Sequence, residues 1–471
     1  MVQRRGGNAL RARHARFCPG LKDPQLMTSP STPAYLSWLG IVRLGLVQTA
    51  LGAIVVLTTS TLNRIMVVEL ALPAMIPGAL VALHYAVQLL RPRLGHGSDV
   101  GGRRTPWILG GMMVLGLGGV SAAAATALMA TAPVLGIIAA TAAFLIVGVG
   151  VGASGTNLLV LLAKRVAPER RPAAATIVWM MMIFGFIITA ASAGAALEPF
   201  SFTRLLVVSS TVAVGASALT ALALWGIEGP QASPAGADAE AAEKLPFREA
   251  LATVWEEKEA RRFTLFIFVS MLAYSAQDLI LEPFAGTVFG MTPGASTQLA
   301  GVQNGGVLLG MILVALLGHR LGTADQWTRA GCMASGAALV LLAGLGLGLG
   351  QSEVPALRGA VFALGFANGV FAVSAIGAMM GLVGQGQAGR EGVRMGLWGA
   401  AQAVAFGLGG FLGTLAIDVT RALINHPGLA YALVFFLEAG CFFVAAYMTV
   451  WVAKARPLHP GQAVPLTGVG L

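Results

Sequence analysis

Apolar stretches of about 18 residues or more recur along the whole 471-residue chain, and each is long enough for a helix to cross the hydrocarbon of a bilayer. Only 11% of the residues are charged, against roughly 25% in an ordinary soluble domain, while 56% are hydrophobic. A water-soluble fold cannot enclose that much apolar surface. The chain therefore reads as an all-α integral membrane protein that crosses the bilayer many times. Cys18, Cys332 and Cys441 are too far apart to make a metal pattern or an obvious disulfide pair.

Breaking the sequence where charges and prolines cluster gives about twelve spans. They lie at roughly 41–62, 74–90, 106–129, 134–163, 173–197, 203–226, 263–286, 297–318, 329–350, 356–383, 395–417 and 429–452. The third and fourth are separated by so little that they form a tight hairpin. With the N-terminus inside, every one of the 30 lysines and arginines except Arg64, Arg204, Arg358 and Arg421 falls on the cytoplasmic side. Both termini are then cytoplasmic, and the +10 charge reads as loops gripping anionic lipid. Nucleic acid is excluded as a partner, because no ordered basic domain is present.

Five segments follow: a basic extension (1–34), a first six-helix half (35–226), a cytoplasmic linker (227–262), a second six-helix half (263–455) and a tail (456–471). The extension lacks the apolar core of a secretory signal. Leaflet binding, disorder and translation from Met27 in place of Met1 all remain open for it. In the linker, Phe247 to Phe263 has helical spacing and suits either a surface helix or a charged start to the seventh span. The halves echo one another: Gly148 and Gly152 in span four answer Gly365 and Gly369 in span ten, at a spacing that lets helices approach closely. A duplicated bundle with parallel halves is expected.

The loop after span two runs from Arg91 to Trp107. Its Gly95, Asp99, Gly102, Arg103 and Arg104 match the G-x-x-x-D-x-x-G-R-R/K signature that major facilitator superfamily proteins carry in this place. The glycines permit a tight turn, Asp99 can cap a helix or pair with arginine, and the arginines reach headgroups, so the loop would act as a cytoplasmic clasp. The expected twin, Gly318-His319-Arg320-Leu321-Gly322, is shortened, with Asp325 displaced.

Three segments narrow the resemblance: Leu62-Asn63-Arg64-Ile65-Met66-Val67-Val68-Glu69-Leu70, the Arg91–Trp107 loop, and Gln277-Asp278-Leu279-Ile280-Leu281-Glu282-Pro283-Phe284 with Val288-Phe289-Gly290. In these the chain resembles the PucC/LhaA family, the bacteriochlorophyll-delivery branch of the major facilitator superfamily. The resemblance implies a factor in the inner (intracytoplasmic) membrane of a phototrophic bacterium that delivers bacteriochlorophyll to nascent light-harvesting antenna polypeptides or chaperones them. It makes bacteriochlorophyll a transient ligand. Candidate partners are membrane lipid, antenna polypeptides, the pigment-synthesis machinery and a second copy of the chain.

Ionisable groups at membrane depth cost about 2.5–3.5 kcal/mol each on an insertion scale, which makes each a functional candidate. Asp278 and Glu282 share a face of span seven, and Pro283 should bend or end that helix. If the halves superpose, Asn63 and Arg64 line up with Gln277 and Asp278, and the opposite signs suggest that Arg64 pairs with Asp278 or Glu282 across the outer mouth. Glu438 lies deep in span twelve, as a relay or a hydrogen-bond anchor, and Asp418 with Arg421 reads as a local pair. His84, with Tyr85 and Gln88, is the candidate pigment ligand, against the simpler reading of a packing donor. Trp179-Met180-Met181-Met182 reads chiefly as lipid-facing filler, or as a soft surface for a tetrapyrrole. The leading functional reading is the non-enzymatic antenna-assembly factor. Its rival is a proton-coupled alternating-access transporter of a small solute that uses Asp278, Glu282 or Glu438.

Overall fold

The computed structural model describes residues 35–88, 103–167, 170–228, 255–348, 354–383, 391–424 and 426–453, and these are helical almost throughout. Among the described residues, eleven helices are long and apolar enough to cross a membrane. They are α1 (Trp38–Glu69), α3 (Thr105–Met129), α4 (Pro133–Arg165), α5 (Arg171–Ala196), α6 (Phe202–Leu224), α7 (Lys258–Phe289), α8 (Pro293–Leu321), α9 (Ala324–Gly346), α10 (Val354–Val383), α11 (Glu391–Leu423) and α12 (Pro427–Ala453). One further apolar helix, α2 (Met75–Val87), is only 13 residues long where a span over 74–90 was expected. Residues 247–254 of the helical stretch expected over 247–263, the basic extension with Met1 and Met27, and the C-terminal tail lie outside the described residues. Residues 258–263 form the first turns of α7.

The packing order repeats. In the first six helices α1 packs on α5 and α6, α2 on α4, and α3 on α4 and α6. In the last six, α7 packs on α11 and α12, α8 on α10, and α9 on α10 and α12. Each pair is the earlier one moved on by six helices. The α3–α4 hairpin expected from the sequence forms, with the chain turning between Met129 and Pro133. The two sets meet along α2–α11 and α5–α8.

Glycine sets how closely the helices approach, because van der Waals packing is what joins helices inside lipid. A Cβ on Gly365 or Gly369 of α10 would fall on the carbonyl oxygen of Gln303 or Val307 in α8. In the other half, a Cβ on Gly148 would come within 2.8 Å of the His84 carbonyl oxygen, where α4 meets α2.

The basic ends repeat as well. Arg43, near the start of α1, donates to the Trp225 carbonyl just beyond α6. Arg262, near the start of α7, donates to the Trp451 carbonyl of α12 at 3.0 Å, with its guanidinium 4.6 Å from the indole centre. Each arginine thus neutralises carbonyls left over at a helix C-terminus.

The start of α3 is held by a distant carboxylate. Glu228 accepts the backbone N–H of Arg104 at 2.7 Å and of Thr105 at 2.8 Å. Burial pushes the Glu228 carboxyl up, and these N–H groups, with the charge of Arg103, more than offset it, leaving the group below its ordinary 4.5. Its stabilising contribution is therefore present above pH 4.5 and is lost as the pH falls through the depressed value.

Two outcomes test this packing. Glu228→Gln should lower stability at pH 7 and flatten the acid limb of a pH–stability profile in detergent, so that variant and wild type converge at low pH. Gly369→Val should lower the melting temperature by an amount matching about 1–3 kcal/mol of overpacking, whereas alanine at Gly359, beside which nothing lies within 4 Å, should be near neutral.

A polar seam at the outer end of the bundle

The end of the bundle poor in basic residues, the outer end by the charge asymmetry of the sequence, is where the two halves are bonded together. The bonds begin in the winding of α1. Thr58 and Thr59 return their hydroxyls to the carbonyls of Ile54 and Val55, a side-chain competition that disturbs regular helix. The backbone there opens into π-helical turns at Leu57–Thr61 and Ile65–Glu69. Wide turns of this kind often accompany functional sites. The helix continues to Glu69, past the expected end at 62, so Asn63 and Arg64 lie inside the protein, each 2% exposed.

Pro283 of α7 was expected to bend or end the helix, yet α7 continues to Phe289. Proline has no N–H, so the carbonyl of Leu279 one turn earlier loses its helical partner. Asn63 of α1 donates its Nδ2 to that carbonyl. An orphan made by a proline in one half is thus satisfied by an amide from the other, as hydrocarbon requires of every backbone polar group.

Further bonds join the same elements. Ser60 donates to Glu282, and Thr61 and Thr297 share a hydrogen bond of 3.1 Å. Arg64 donates to the carbonyl of Met291, which follows the left-handed Gly290 that ends α7. Thr292 donates to Glu198 between the α7–α8 turn and the end of α5. Asp418 of α11 accepts the N–H groups of Ala74 and Met75 at 2.9 and 2.7 Å, capping α2. Over this seam lies a shallow hollow of about 490 Å³, with Arg64, Glu69, Glu198 and Met291 in its lining.

The expected cross-half ion pair is replaced by another arrangement. Arg64 forms its salt bridge with Glu69, five residues along its own helix, and not with Asp278 or Glu282. Glu69 sits at the rim of the hollow and is the more exposed partner. Asp278 lies near Gln303 of α8. Gln277 is fully buried with neither amide atom bonded, and Glu438 is 4% exposed with neither carboxylate oxygen bonded. Asp418 caps α2, and its expected salt bridge to Arg421 is not among those of the described residues. His84 is 2% exposed, with Nε2 2.8 Å from Nε2 of Gln88 one turn on. Met181 and Met182 also depart from expectation: Met181 lies against Gly45, and Met182 accepts a hydrogen bond from Gln48, so both face α1. Of the clasp residues, Gly95, Asp99 and Gly102 lie outside the described residues. Arg103 and Arg104 lead into α3, with Arg104 4% exposed.

Sequence reasoning missed Ser60, Thr61, Thr297 and Glu228, and it gave Asp418 a local partner, Arg421, in place of the start of α2. Only Pro283 carried a usable signal, because a proline within a span announces a carbonyl in need of a donor.

The comparisons with known proteins now decide the family. The PUCC protein family matches residues 61–456. The chain belongs to the PucC family. A relative in Rhodobacter capsulatus, named "Bacteriochlorophyll synthase 44.5 kDa chain", is 52% identical over 425 residues, covering 89% of this chain and 97% of that protein. "Protein PucC" of the same organism is 30% identical over 433 residues, covering 88% of this chain and 92% of its own length. Among solved structures, a D-xylose–proton symporter aligns with a TM-score of 0.68 at 13% identity, over 89% of this chain and 99% of that one. The fold of this PucC-family chain is thus that of the major facilitator transporters.

A double-mutant cycle tests the seam. Asn63→Leu should destabilise by about 1–3 kcal/mol by stranding the Leu279 carbonyl. The penalty should shrink when combined with Pro283→Leu, which restores a backbone N–H. Equal penalties in both backgrounds, read from thermal unfolding in detergent, would remove Asn63 from this role.

Proposed function

We propose that this protein is an assembly factor for light-harvesting antenna complexes, which delivers bacteriochlorophyll to nascent antenna polypeptides or chaperones them in the inner, intracytoplasmic membrane of a phototrophic bacterium. The observation that carries the reading is membership of the PucC family over residues 61–456. The geometry supports it in two ways. The halves are bonded to each other at the outer end, while Arg43 and Arg262 at the basic end bond only within their own halves. A ligand would then enter from the cytoplasmic side or from the bilayer. The interior is mainly alanine, glycine, leucine, valine and phenylalanine, which suits an oily ligand.

The "synthase" in the name of the 52%-identical relative fits a component that works beside pigment synthesis. Our reading gives the present chain no chemical step. Pigment-synthesis enzymes, antenna polypeptides, lipid and a second copy of the chain are the partners it calls for, and bacteriochlorophyll is a transient ligand. A second reading, a proton-coupled carrier of a small solute, is favoured by the buried carboxylates Glu282 and Glu438 and by the symporter-like fold.

Deletion of the gene in a phototrophic host separates these readings. The expected result is a several-fold fall in one antenna complex, measured by near-infrared absorbance and antenna polypeptide content, with bacteriochlorophyll still made. Normal antenna levels with loss of uptake or export of a water-soluble compound would establish the carrier. Accumulation of a pigment precursor that the purified protein converts would establish an enzyme.

A further inference from the structure

A second hollow, of about 460 Å³, adjoins the one over the outer seam, and Glu69 and Phe200 line both. The two differ in chemistry. Leu70, Leu72, Met129, Pro133 and Phe202 line the second, among the turns that follow α1, α3 and α5, so its side chains are apolar except for Glu69. The first carries the charge. Its ionisable side chains are Arg64, Glu69 and Glu198. Arg64 is 2% exposed and paired with Glu69, so those two cancel and Glu198 is the net charge open to the outside.

Each carboxylate is held by one of its oxygens. Glu69 accepts Arg64 on Oε1, and Glu198 accepts the Thr292 hydroxyl on Oε1. Glu198 also lies against the start of α8, where a Cβ on Gly294 would come within 2.6 Å of that same oxygen. Arg204 donates to the backbone carbonyl of Glu198 and not to its carboxylate. Among the described residues, Oε2 of Glu69 and Oε2 of Glu198 accept no hydrogen bond. Acceptors fixed in this way can take a donor with little further loss of side-chain freedom. Beside them Phe200 is half-buried, its ring edge-on to Phe202 with centroids 5.4 Å apart. A carboxylate next to an aromatic ring suits a cation through both charge and the ring quadrupole.

We propose that this two-part groove docks the outer segment of a partner polypeptide in which a lysine or arginine lies two residues from a large apolar side chain. The basic group takes Oε2 of Glu198 with Glu69 and Phe200 beside it, and the apolar side chain fills the hollow beside Phe202. A small-molecule pocket normally covers most of its ligand, which two shallow hollows do not do. An extended chain bridges them, because alternate side chains leave the same face about 7 Å apart. The groove rests on the contacts above; that its partner is an antenna polypeptide rests on the function already proposed.

The test is fluorescence anisotropy of the purified full-length protein in neutral detergent with three labelled hexapeptides. They are identical except that the residue two positions from a leucine is arginine, its neutral isostere citrulline, or glutamate. The arginine peptide should bind saturably, and the other two at least about tenfold more weakly. Glu198→Gln and Phe200→Ala should each weaken the arginine peptide by about five- to tenfold. Glu198→Gln keeps an acceptor for Thr292 and should melt as wild type, so loss of binding there is not loss of fold. Phe184→Ala, at a ring 48% exposed on α5, is the control and should bind as wild type. Equal affinities for the arginine and citrulline peptides, no saturable binding, or an equal loss from Phe184→Ala would overturn the groove. So would Glu198-dependent binding of phosphatidylethanolamine with no peptide binding, which would give the site to a lipid headgroup. In the deletion strain, the Glu198→Gln gene should restore several-fold less antenna than the wild-type gene. Equal restoration by both would remove antenna polypeptides as the partner and leave the assembly role standing. Normal antenna without the gene, with peptide binding intact, would sink the assembly role and leave the groove.

Discussion

The bilayer leaves no water to satisfy a polar group, and the outer seam is built around that constraint. Pro283 withholds an N–H from the carbonyl of Leu279, and Asn63 supplies one from the other half of the molecule. Because donor and acceptor belong to different halves, separating α1 from α7 there would strand both groups, at a cost of about 1–3 kcal/mol for each buried orphan. Ser60–Glu282, Thr61–Thr297 and Arg64 on the Met291 carbonyl add to the same coupling. The outer end is held shut by hydrogen bonds whose loss carries a desolvation cost, and the π-helical turns of α1 bring Ser60 through Arg64 to face α7.

The basic end follows a different logic. Arginines there meet helix C-termini within their own half: Arg43 at Trp225, Arg262 at Trp451. Glu228, on the same side, fastens the start of α3 to the end of α6. Among the described residues, these bonds at the basic end tie each half to itself, and those at the outer end tie the halves to one another.

The repeat, the hairpin of α3 and α4, and the close approach at Gly365 and Gly369 were legible in the sequence because they depend on local periodicity and on residue size. The segments 62–70 and 277–290 were also legible as the places that matter, through their resemblance to a family. What they do there was not. Matching Arg64 to Asp278 by sign ignored Glu69, which the widened helix brings to Arg64. Asp418 and Glu228 cap helices whose first residues lie hundreds or scores of positions away, and no pattern within α11 or after α6 announces such a partner. Met181 and Met182 looked lipid-facing because the small residues of α1 that accept them are distant in sequence. Among the described residues eleven of the twelve expected spans are long apolar helices and the second is described over Met75–Val87, and the start of α2 depends on a cap from α11 that its own residues do not reveal.

The central claim is that an apolar bundle of transporter fold serves pigment-protein assembly and not the passage of a hydrated solute. Purification of the protein in mild detergent from its phototrophic membrane, with an absorption spectrum and identification of the accompanying polypeptides, tests it most directly. The account predicts bacteriochlorophyll absorption and antenna polypeptides in the same elution peak. A colourless peak free of antenna polypeptides, from membranes in which antenna is being assembled, would contradict it.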